Sequence, residues 1–490
     1  MTGRMVGAAC VALLLAAGAA RAEDTLSVGM VLEPPVLDPT ASAAAAVDEI
    51  VYANVFEGLV RIGPDGGVRP GLARSWTVDG TGTVYTFDLE ENVLFQDGTG
   101  FDADDVLFTF KRAMAPDSTN AQKTIFDPIE KVEALDPDTV RITLKESRSD
   151  FLFNMGQGDA VIVAEESAKD NRTHPVGTGP FKVVEWRKGD SVRLQRRDDY
   201  WGEPVALREV TFHFIADPTA ASSAMLAGDV DAYPNFPAPE SLDLLKTDPR
   251  LKVVVGTTEG ETILAINNRR PPLNDVRVRR AISYAIDRQA VIQGAYFGYG
   301  TPIGSHFAPH DPAYVDLTGL YPHDFAKARD LLKEAGVENL KLTMKLPPPS
   351  YARRGGEIVA AELKEAGIEV EVVAVEWAQW LEQVFQNHDF DLTIVSHTEP
   401  RDINIYARDD YYFGYDSQAF KDLMAKADAA TDVKTRDDFL KQAQRKIAED
   451  AVNAFLFQLP KLGVWNARVE GLWTNSPIQA NDLTAVHWAE

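Results

Sequence analysis

At 490 residues the chain is longer than the ~250–300 residues at which a single hydrophobic core usually stops growing, so more than one domain is expected. With 45% hydrophobic and 25% charged residues, the composition is that of a globular protein and excludes the disordered, fibrous and membrane-embedded classes. The formal net charge of −25 disfavours binding to nucleic acid and to anionic membrane surfaces, so we expect neither as a partner.

The first residues have the pattern of a secretory signal peptide. Arg4 supplies a positive charge, residues 5–17 are almost wholly apolar, and Ala20-Arg21-Ala22 places small residues where a signal peptidase reads. The apolar run is shorter than the ~20 residues that a membrane-spanning helix needs. We therefore predict that residues 1–22 are a signal peptide, cleaved near Ala22, and that the rest is exported. Cys10, the only cysteine, would be removed with it.

The N-terminal half alternates apolar and polar residues in short runs. Segments 85–89, 140–144 and 210–214 alternate with a period of two, which places one row of side chains on a buried face. Turn sequences at 63–67 and 136–138 separate such runs. The pattern predicts a mixed, largely antiparallel sheet with a few helices.

After about Pro271 the pattern changes to helices that alternate with strands. The predicted helices carry an apolar stripe, and two of them end at a glycine. In chain order we predict a helix capped by Asp275, a helix over 325–335, a strand over 340–344, a loop at 347–349, a helix over 357–366, a strand over 368–375, a helix over 377–386 and a strand over 392–395. This order predicts βαβ units and a mainly parallel sheet.

Signatures of common catalytic and metal sites are missing from the sequence. It contains no phosphate-binding glycine loop, no Gly-x-Ser-x-Gly, no Ser-x-x-Lys and no His-Glu-x-x-His. His306 and His310 lie four residues apart, but Gly304 and Pro309 disfavour a helix there, so we interpret them as loop histidines. We predict no catalytic residue, no metal ligand and no cofactor. Adjacent acids leave a secreted hydrolase as a distant alternative.

The most specific pattern covers residues 72–112, and different supporting segments are spread over most of the chain. The segments, in order, are LDP at 37–39, FEGL at 56–59, LARSW at 72–76, VYTF at 84–87, VLFQDG at 93–98, FDADDV at 101–106, FKR at 110–112, GTGPF at 177–181, DDYWG at 198–202, LAGDVD at 226–231 and DVRVRRAI at 275–282. Together they resemble the extracellular solute-binding proteins of family 5, which are the dipeptide, oligopeptide and nickel receptors of ABC importers.

The resemblance implies an α/β, two-lobed periplasmic binding protein fold, a hinged clamshell with an extra inserted subdomain. Lobe I would comprise residues 23–50, 177–261 and 463–490, the inserted subdomain residues 51–176, and lobe II residues 262–462. The alternating helices and strands predicted from periodicity lie in this lobe II. A ligand that contacts both lobes only when they are closed would shift the equilibrium toward closure.

The resemblance also implies a binding protein and not an enzyme. We expect a periplasmic component of an ABC importer that captures a small polar solute, with a peptide as the first choice, and delivers it to the permease subunits. We expect it to act as a monomer. The alternatives on the same fold are a sugar, an opine-like or modified amino-acid ligand, or nickel.

Family peptide receptors hold the ligand amine with an acid and its carboxylate with an arginine or similar donor, as buried charges require. In the loop after the strand 392–395 the family carries Gly-Trp followed by Asp, whereas this sequence differs. His397 would occupy the position of the aromatic residue, and Glu399 or Asp402 would hold the amine.

Five further residues complete the predicted substrate-binding set. Arg353 and Arg354, which follow Tyr351, match the arginine-bearing segment that precedes a helix in the family, and the helix N-terminus would favour an anion. Glu33 follows the first strand, where family members contact the ligand backbone. Trp377 would form an apolar wall of the pocket.

Overall fold

The computed structural model describes residues 23–42, 44–430 and 432–489. The predicted signal peptide and Cys10 lie outside the described residues. Within the described ranges, no helix is both long and apolar enough to cross a membrane.

The described part of the chain contains nineteen strands and twelve α-helices. The strands are β1 (Thr25–Met30), β2 (Val60–Ile62), β3 (Val68–Pro70), β4 (Ala73–Val78), β5 (Val84–Leu89), β6 (Ile129–Asp136), β7 (Thr139–Leu144), β8 (Phe181–Arg187), β9 (Ser191–Arg196), β10 (Glu209–Phe214), β11 (Ala232–Tyr233), β12 (Leu251–Ile266), β13 (Thr301–Pro302), β14 (Leu340–Leu346), β15 (Ile368–Ala374), β16 (Leu392–His397), β17 (Asn453–Asn466), β18 (Val469–Glu470) and β19 (His487–Trp488). The helices are α1 (Ala45–Val51), α2 (Ala103–Met114), α3 (Phe151–Asn154), α4 (Pro218–Ala227), α5 (Leu242–Leu245), α6 (Val276–Ala285), α7 (Arg288–Tyr296), α8 (Phe325–Glu334), α9 (Ser350–Glu365), α10 (Trp377–Trp380), α11 (Gln418–Asp428) and α12 (Val433–Glu449).

A four-stranded antiparallel sheet of order β4-β5-β7-β6 forms within residues 73–144. The alternation predicted for β5 and β7 is confirmed, since every second residue of each strand is buried. Helix α2 packs beside this sheet, and Asp102 is its N-terminal cap. The Asp102 side chain accepts a hydrogen bond from the backbone N–H of Asp104, and the Asp105 side chain accepts one from the backbone N–H of Asp102. The predicted antiparallel character of this half is confirmed.

The largest sheet runs through both halves of the chain in the order β15-β14-β16-β12-β17-β11-β1-β10-β9-β8. Its middle is the antiparallel pair of two long strands, β12 and β17, of 16 and 14 residues. Their register shifts between Thr257 and Glu261. On one side of this shift the pair adjoins β11 and β1, and on the other it adjoins β16. These strands therefore link two bodies, each with its own buried cluster of apolar side chains.

The predicted helices and strands after Pro271 are present, but three boundaries were wrong, and the first is the end of β14, which continues to Leu346 and not to residue 344. Helix α9 begins at Ser350 and not at residue 357, so the helix includes Gly355 and Gly356. These glycines bring the helix against its neighbours, because a Cβ atom at Gly356 would overlap the side chain of Leu346. Strand β16 continues to His397, since its last residues pair with β12.

Two further expectations for this region need correction. Helix α10 ends at Trp380 and continues as a π-helical segment, Leu381–Gln386. Strands β14, β15 and β16 are parallel to one another, as predicted, but β16 is antiparallel to β12, so the complete sheet is mixed. The direction of a long strand that crosses between two bodies cannot be predicted from the sequence of that strand.

Several of the family-like segments meet at one buried carboxylate. The side chain of Glu57 accepts hydrogen bonds from Thr178 Oγ1 at 2.8 Å, Tyr200 OH at 2.7 Å and Trp201 Nε1 at 2.9 Å. Burial raises the pKa of Glu57, and the three hydrogen bonds oppose that rise. These segments therefore hold the fold together and do not themselves form a ligand pocket.

The glycines of the segment 177–181 permit a close backbone contact that any side chain would block. A Cβ atom at Gly177 would overlap the carbonyl oxygen of Val55, whereas a Cβ atom at the exposed Gly80 would meet nothing within 4 Å. We expect Gly177→Ala to reduce the free energy of unfolding by about 1–3 kcal/mol and the control Gly80→Ala to leave it nearly unchanged. Chemical denaturation followed by circular dichroism measures both. Equal stabilities of the two variants would contradict this packing.

Candidate ligand-binding site

One cavity, open to solvent, collects side chains from distant parts of the chain. Its volume is about 120 Å³. We call it the cleft cavity. Helix α1, the segments near 122 and 158, the loop after β16 and the segment near 478 contribute its lining: Ala45, Asp48, Gln122, Gln157, Gly158, Asp159, Thr398, Glu399, Pro400, Ile478 and Gln479.

The cleft cavity is acidic, because three of its lining residues are Asp48, Asp159 and Glu399. Asp48 Oδ1 and Asp159 Oδ1 are buried and find no hydrogen-bond partner among the described residues. Burial raises the pKa of Asp159 to about 7. Burial, together with the charges of Asp159 and Glu49, raises the pKa of Asp48 well above its usual range. The arrangement is electrostatically incomplete and would be stabilised by a cationic group.

Glu399 lies on the opposite wall of the cleft cavity, in the loop after β16. Its side chain is exposed, and Oε2 accepts a hydrogen bond from the backbone N–H of Thr398 at 3.2 Å. Glu399 therefore lines the cleft cavity, and its predicted role in holding a ligand amine stays a prediction. Because the carboxylate faces Asp48 and Asp159 across one space, a single ligand could reach acids from both walls.

The two walls also touch directly beside the cleft cavity. The guanidinium of Arg401 lies 4.1 Å from the centroid of the Phe153 ring, and its Nε donates to Asp311 Oδ2 at 2.9 Å. Nearby, Arg148 forms an ion pair with Asp428 at 3.7 Å. Arg401 and Asp428 belong to the predicted lobe II, and Phe153 and Arg148 belong to the predicted inserted subdomain. These contacts join the predicted lobe II to the predicted inserted subdomain.

His397 and Asp402 are brought together with His306 at the inner end of the same loop. Asp402 Oδ1 lies 2.7 Å from His306 Nε2, and Asp402 Oδ2 lies 3.5 Å from His397 Nδ1. Both histidines are almost fully buried, at 1% and 7% exposure. The two histidines hold the pKa of Asp402 well below its usual range despite the opposing effect of burial. Asp402 is therefore already paired and is not a free acid facing the cleft cavity.

Residues predicted to bind a carboxylate are engaged elsewhere. Arg353 lies within α9, where Nη2 donates to Val375 O at 3.3 Å and to Glu376 Oε1 at 3.1 Å. Arg354 is exposed, and its guanidinium lies 5.3 Å from the Phe297 ring centroid. Tyr351 OH accepts from the backbone N–H of Ser396 at 3.3 Å, and burial raises the pKa of Tyr351 to about 12. The expectation that the arginines precede a helix was wrong, since both lie inside it.

Glu33 and Trp377 also lie apart from the cleft cavity. The Glu33 carboxylate accepts from Trp186 Nε1 and from the backbone N–H of Gly189, both at 3.0 Å, so it fastens the β8–β9 hairpin. Trp377 is 41% exposed and its ring is edge-on to Trp380, with centroids 5.6 Å apart. Their binding roles stay predictions that the geometry of the cleft cavity does not use.

Sequence reasoning missed the residues that face the loop from elsewhere in the chain. Asp48 and Asp159 lie far from it in sequence, and no local pattern connects them. His306 was correctly interpreted as a loop histidine, but its contact with Asp402 depends on a chain separation of 96 residues. The available signal would have been acids in apolar surroundings, such as Asp48 and Glu49 after an alanine-rich segment.

The raised pKa of Asp159 predicts how the stability of the ligand-free protein depends on pH. An aspartate titrates near pH ~3.9 in an unfolded chain, so between about pH 4 and 7 the folded state binds more protons than the unfolded state. Stability contributed by this group therefore decreases as pH rises through that window. We expect Asp159→Asn to melt at a higher temperature than the wild type at pH 8, and this difference to be much smaller near pH 4.5.

Differential scanning fluorimetry at the two pH values measures this difference. Glu338→Gln serves as the control, because Glu338 is an exposed acid outside the cleft cavity. A wild type that is as stable as Asp159→Asn at pH 8 would contradict the electrostatic description of the cleft.

Comparisons with known proteins agree with this architecture. Residues 67–463 match the family described as bacterial extracellular solute-binding proteins, family 5. The glutathione-binding protein GsiB of Salmonella paratyphi A is 31% identical over 351 residues, which cover 70% of this chain and 68% of GsiB. The probable ABC transporter periplasmic-binding protein SapA of Escherichia coli K12 is 30% identical over 389 residues, which cover 73% of this chain and 71% of SapA.

A solved structure shows the same fold over nearly the whole chain. The periplasmic binding protein DppA of Helicobacter pylori, in complex with the peptide STSA, superposes with a TM-score of 0.79 at 25% identity and covers 95% of this chain and 98% of its own. The predicted α/β, two-lobed periplasmic binding protein fold is thereby confirmed. The protein belongs to the bacterial extracellular solute-binding proteins of family 5.

Proposed function

We propose that this protein is the periplasmic substrate-binding component of an ABC importer and that it captures a peptide through its free amino terminus. The observation that carries the proposal is the cleft cavity, which joins both walls and presents three carboxylates, two of them with unpartnered buried oxygens. A buried carboxylate needs a positive partner, and an ammonium group supplies both charge and hydrogen-bond donors.

Named relatives support a peptide over the other solutes. GsiB is a glutathione-binding protein, and the DppA structure holds the peptide STSA. Glutathione and STSA are both short peptides. The sugar, opine-like and nickel alternatives gain no comparable support from the acids of the cleft.

Binding would use hinge closure and no chemical step. The ligand contacts Asp48 and Asp159 on one wall and Glu399 on the other only when the cleft is closed, so its binding energy favours the closed form. The permease subunits of the importer would then recognise that form. The relatives are named as binding proteins, which fits a non-enzymatic role, and we infer that the protein acts as a monomer.

Isothermal titration calorimetry with matched peptides tests the role of the ligand amine. Each of several di- to tetrapeptides, and glutathione, is compared with its N-acetylated form, which lacks only the positive charge and its donors. We expect at least one free peptide to bind with a stoichiometry of one and its acetylated form to bind about 10–100-fold more weakly, because a hydrogen bond to a charged group contributes ~1.5–3 kcal/mol. Recovery of the intact peptide after incubation excludes hydrolysis.

Variants of the acids test the location of the amine site. We expect Glu399→Gln and Asp159→Asn each to weaken binding of the same peptide about 10-fold or more, whereas Glu338→Gln should bind as the wild type does. If acetylated and free peptides bind equally well, or if both cleft variants retain wild-type affinity, the proposed site is wrong.

A further inference from the structure

We propose that His306, His397, Asp402 and Glu261 form a binding site for a divalent transition-metal ion of the nickel-to-zinc class. We call these four residues the histidine–carboxylate cluster. They lie on β12, β16 and two loops beside the cleft, and the site is independent of whether the transported ligand is a peptide.

The first observation is the convergence of ligand atoms. One atom each of His306, His397 and Asp402 lies within 4.8 Å of the others. Tetrahedral coordination at ~2.0–2.2 Å sets ligand atoms roughly 3.4 Å apart. The 2.7 Å separation of His306 Nε2 and Asp402 Oδ1 would widen slightly, and the 3.5 Å separation of His397 Nδ1 and Asp402 Oδ2 already fits. Small side-chain movements would therefore suffice.

The second observation is that each imidazole is oriented by a tyrosine on its far side. His306 Nδ1 lies 3.2 Å from Tyr406 OH, and His397 Nε2 lies 3.2 Å from Tyr412 OH. If each of these nitrogens donates its hydrogen to the hydroxyl oxygen, the other nitrogen presents a lone pair toward Asp402. Metal-binding histidines are commonly fixed in this way by a hydrogen bond from the second nitrogen.

The third observation is a buried carboxyl beside the three converging ligand atoms. Glu261 is 3% exposed and is paired with His397 in the register of β12 and β16. Residues directly opposite in an antiparallel pair have Cβ atoms about 4.5–5.5 Å apart on the same face of the sheet. No side-chain hydrogen bond of Glu261 occurs among the described residues. Glu261, His306 and Asp402 line the same small cavity.

The charges around this cavity favour a cation. Its lining includes the carboxyl groups of Glu259, Glu261 and Asp402 and one guanidinium, that of Arg401. Glu259 is paired with His310 at 2.6 Å, and Arg401 is paired with Asp311. The carboxyls left to balance an ion are therefore Glu261 and Asp402, and the partners of Asp402 are the two histidines of the cluster. Two imidazoles and two carboxylates suit zinc and nickel, whereas calcium and magnesium prefer an all-oxygen site.

Metal titrations of protein first dialysed against a chelator, in the absence of any peptide, test the site. Isothermal titration calorimetry with Zn²⁺ and Ni²⁺, supported by elemental analysis of the loaded protein, should give one ion per chain. Co²⁺ loading should give the visible absorption of a low-symmetry nitrogen and oxygen site. Failure to bind any of the three ions with a stoichiometry near one would overturn the proposal.

Variants separate this cluster from adventitious binding. We expect His306→Gln and Asp402→Asn to abolish stoichiometric binding and Tyr406→Phe to weaken it about 10–100-fold, as loss of an orienting partner usually does. His174→Gln is the matched control, because His174 is exposed and outside the cluster. Glu261→Gln is a second probe that leaves both histidines and Asp402 in place.

The outcomes also separate this proposal from the peptide-binding function. Unchanged metal affinity in Asp402→Asn, with circular dichroism showing a folded protein, would overturn the metal site. Peptide affinity is measured separately in the presence of chelator. Peptide binding without metal binding refutes only the metal site, and metal binding without peptide binding refutes only the proposed transport ligand.

Discussion

Uncompensated negative charge inside the closed cleft is the constraint on which this structure depends. Asp48 and Asp159 place buried oxygens without partners on one wall, and Glu399 places a carboxylate on the other. In the absence of ligand the charged forms of Asp48 and Asp159 cost stability, as the raised pKa of each carboxyl indicates. A ligand ammonium group removes that cost, and so couples recognition to closure.

The long strands β12 and β17 make such coupling mechanically possible. They pair along most of their length, yet their register shifts between Thr257 and Glu261, where the sheet passes from one body to the other. The cleft cavity and the histidine–carboxylate cluster both lie near this passage, because the loop after β16 contributes residues to each. A small rotation about the strand pair would change the separation of the two walls while each hydrophobic core stays intact.

Much of the fold could be predicted from the sequence, because periodicity reports burial directly. The alternation of β5 and β7, the cap at Asp275 and the helices after Pro271 are all present. The failures have physical causes. The glycines at 355 and 356 resemble a helix boundary but permit a close helix–strand contact. Strand β16 was predicted to end two residues too early, because its last residues are held by long-range pairing with β12.

The site was less predictable than the fold, because it is assembled from parts of the chain that have no local relation. The loop carrying His397, Glu399 and Asp402 was recognised by its resemblance to a family, but residues facing it from elsewhere were not. Arg353 and Arg354 were expected to bind a carboxylate because they match the position of an arginine-bearing segment of the family. In the structure Arg353 contacts Glu376 and Arg354 contacts Phe297. The sequence identified the loop after β16 as a candidate ligand-binding loop, whereas the residues of the opposing wall could be identified only from the tertiary structure.

Small-angle X-ray scattering with and without a bound peptide tests the central claim most directly. The account predicts that a peptide with a free amino terminus reduces the radius of gyration and the maximum dimension, and that its N-acetylated form leaves both unchanged at the same concentration. A scattering profile that is identical with and without a saturating, tightly bound peptide would contradict the claim that the ligand amine drives closure.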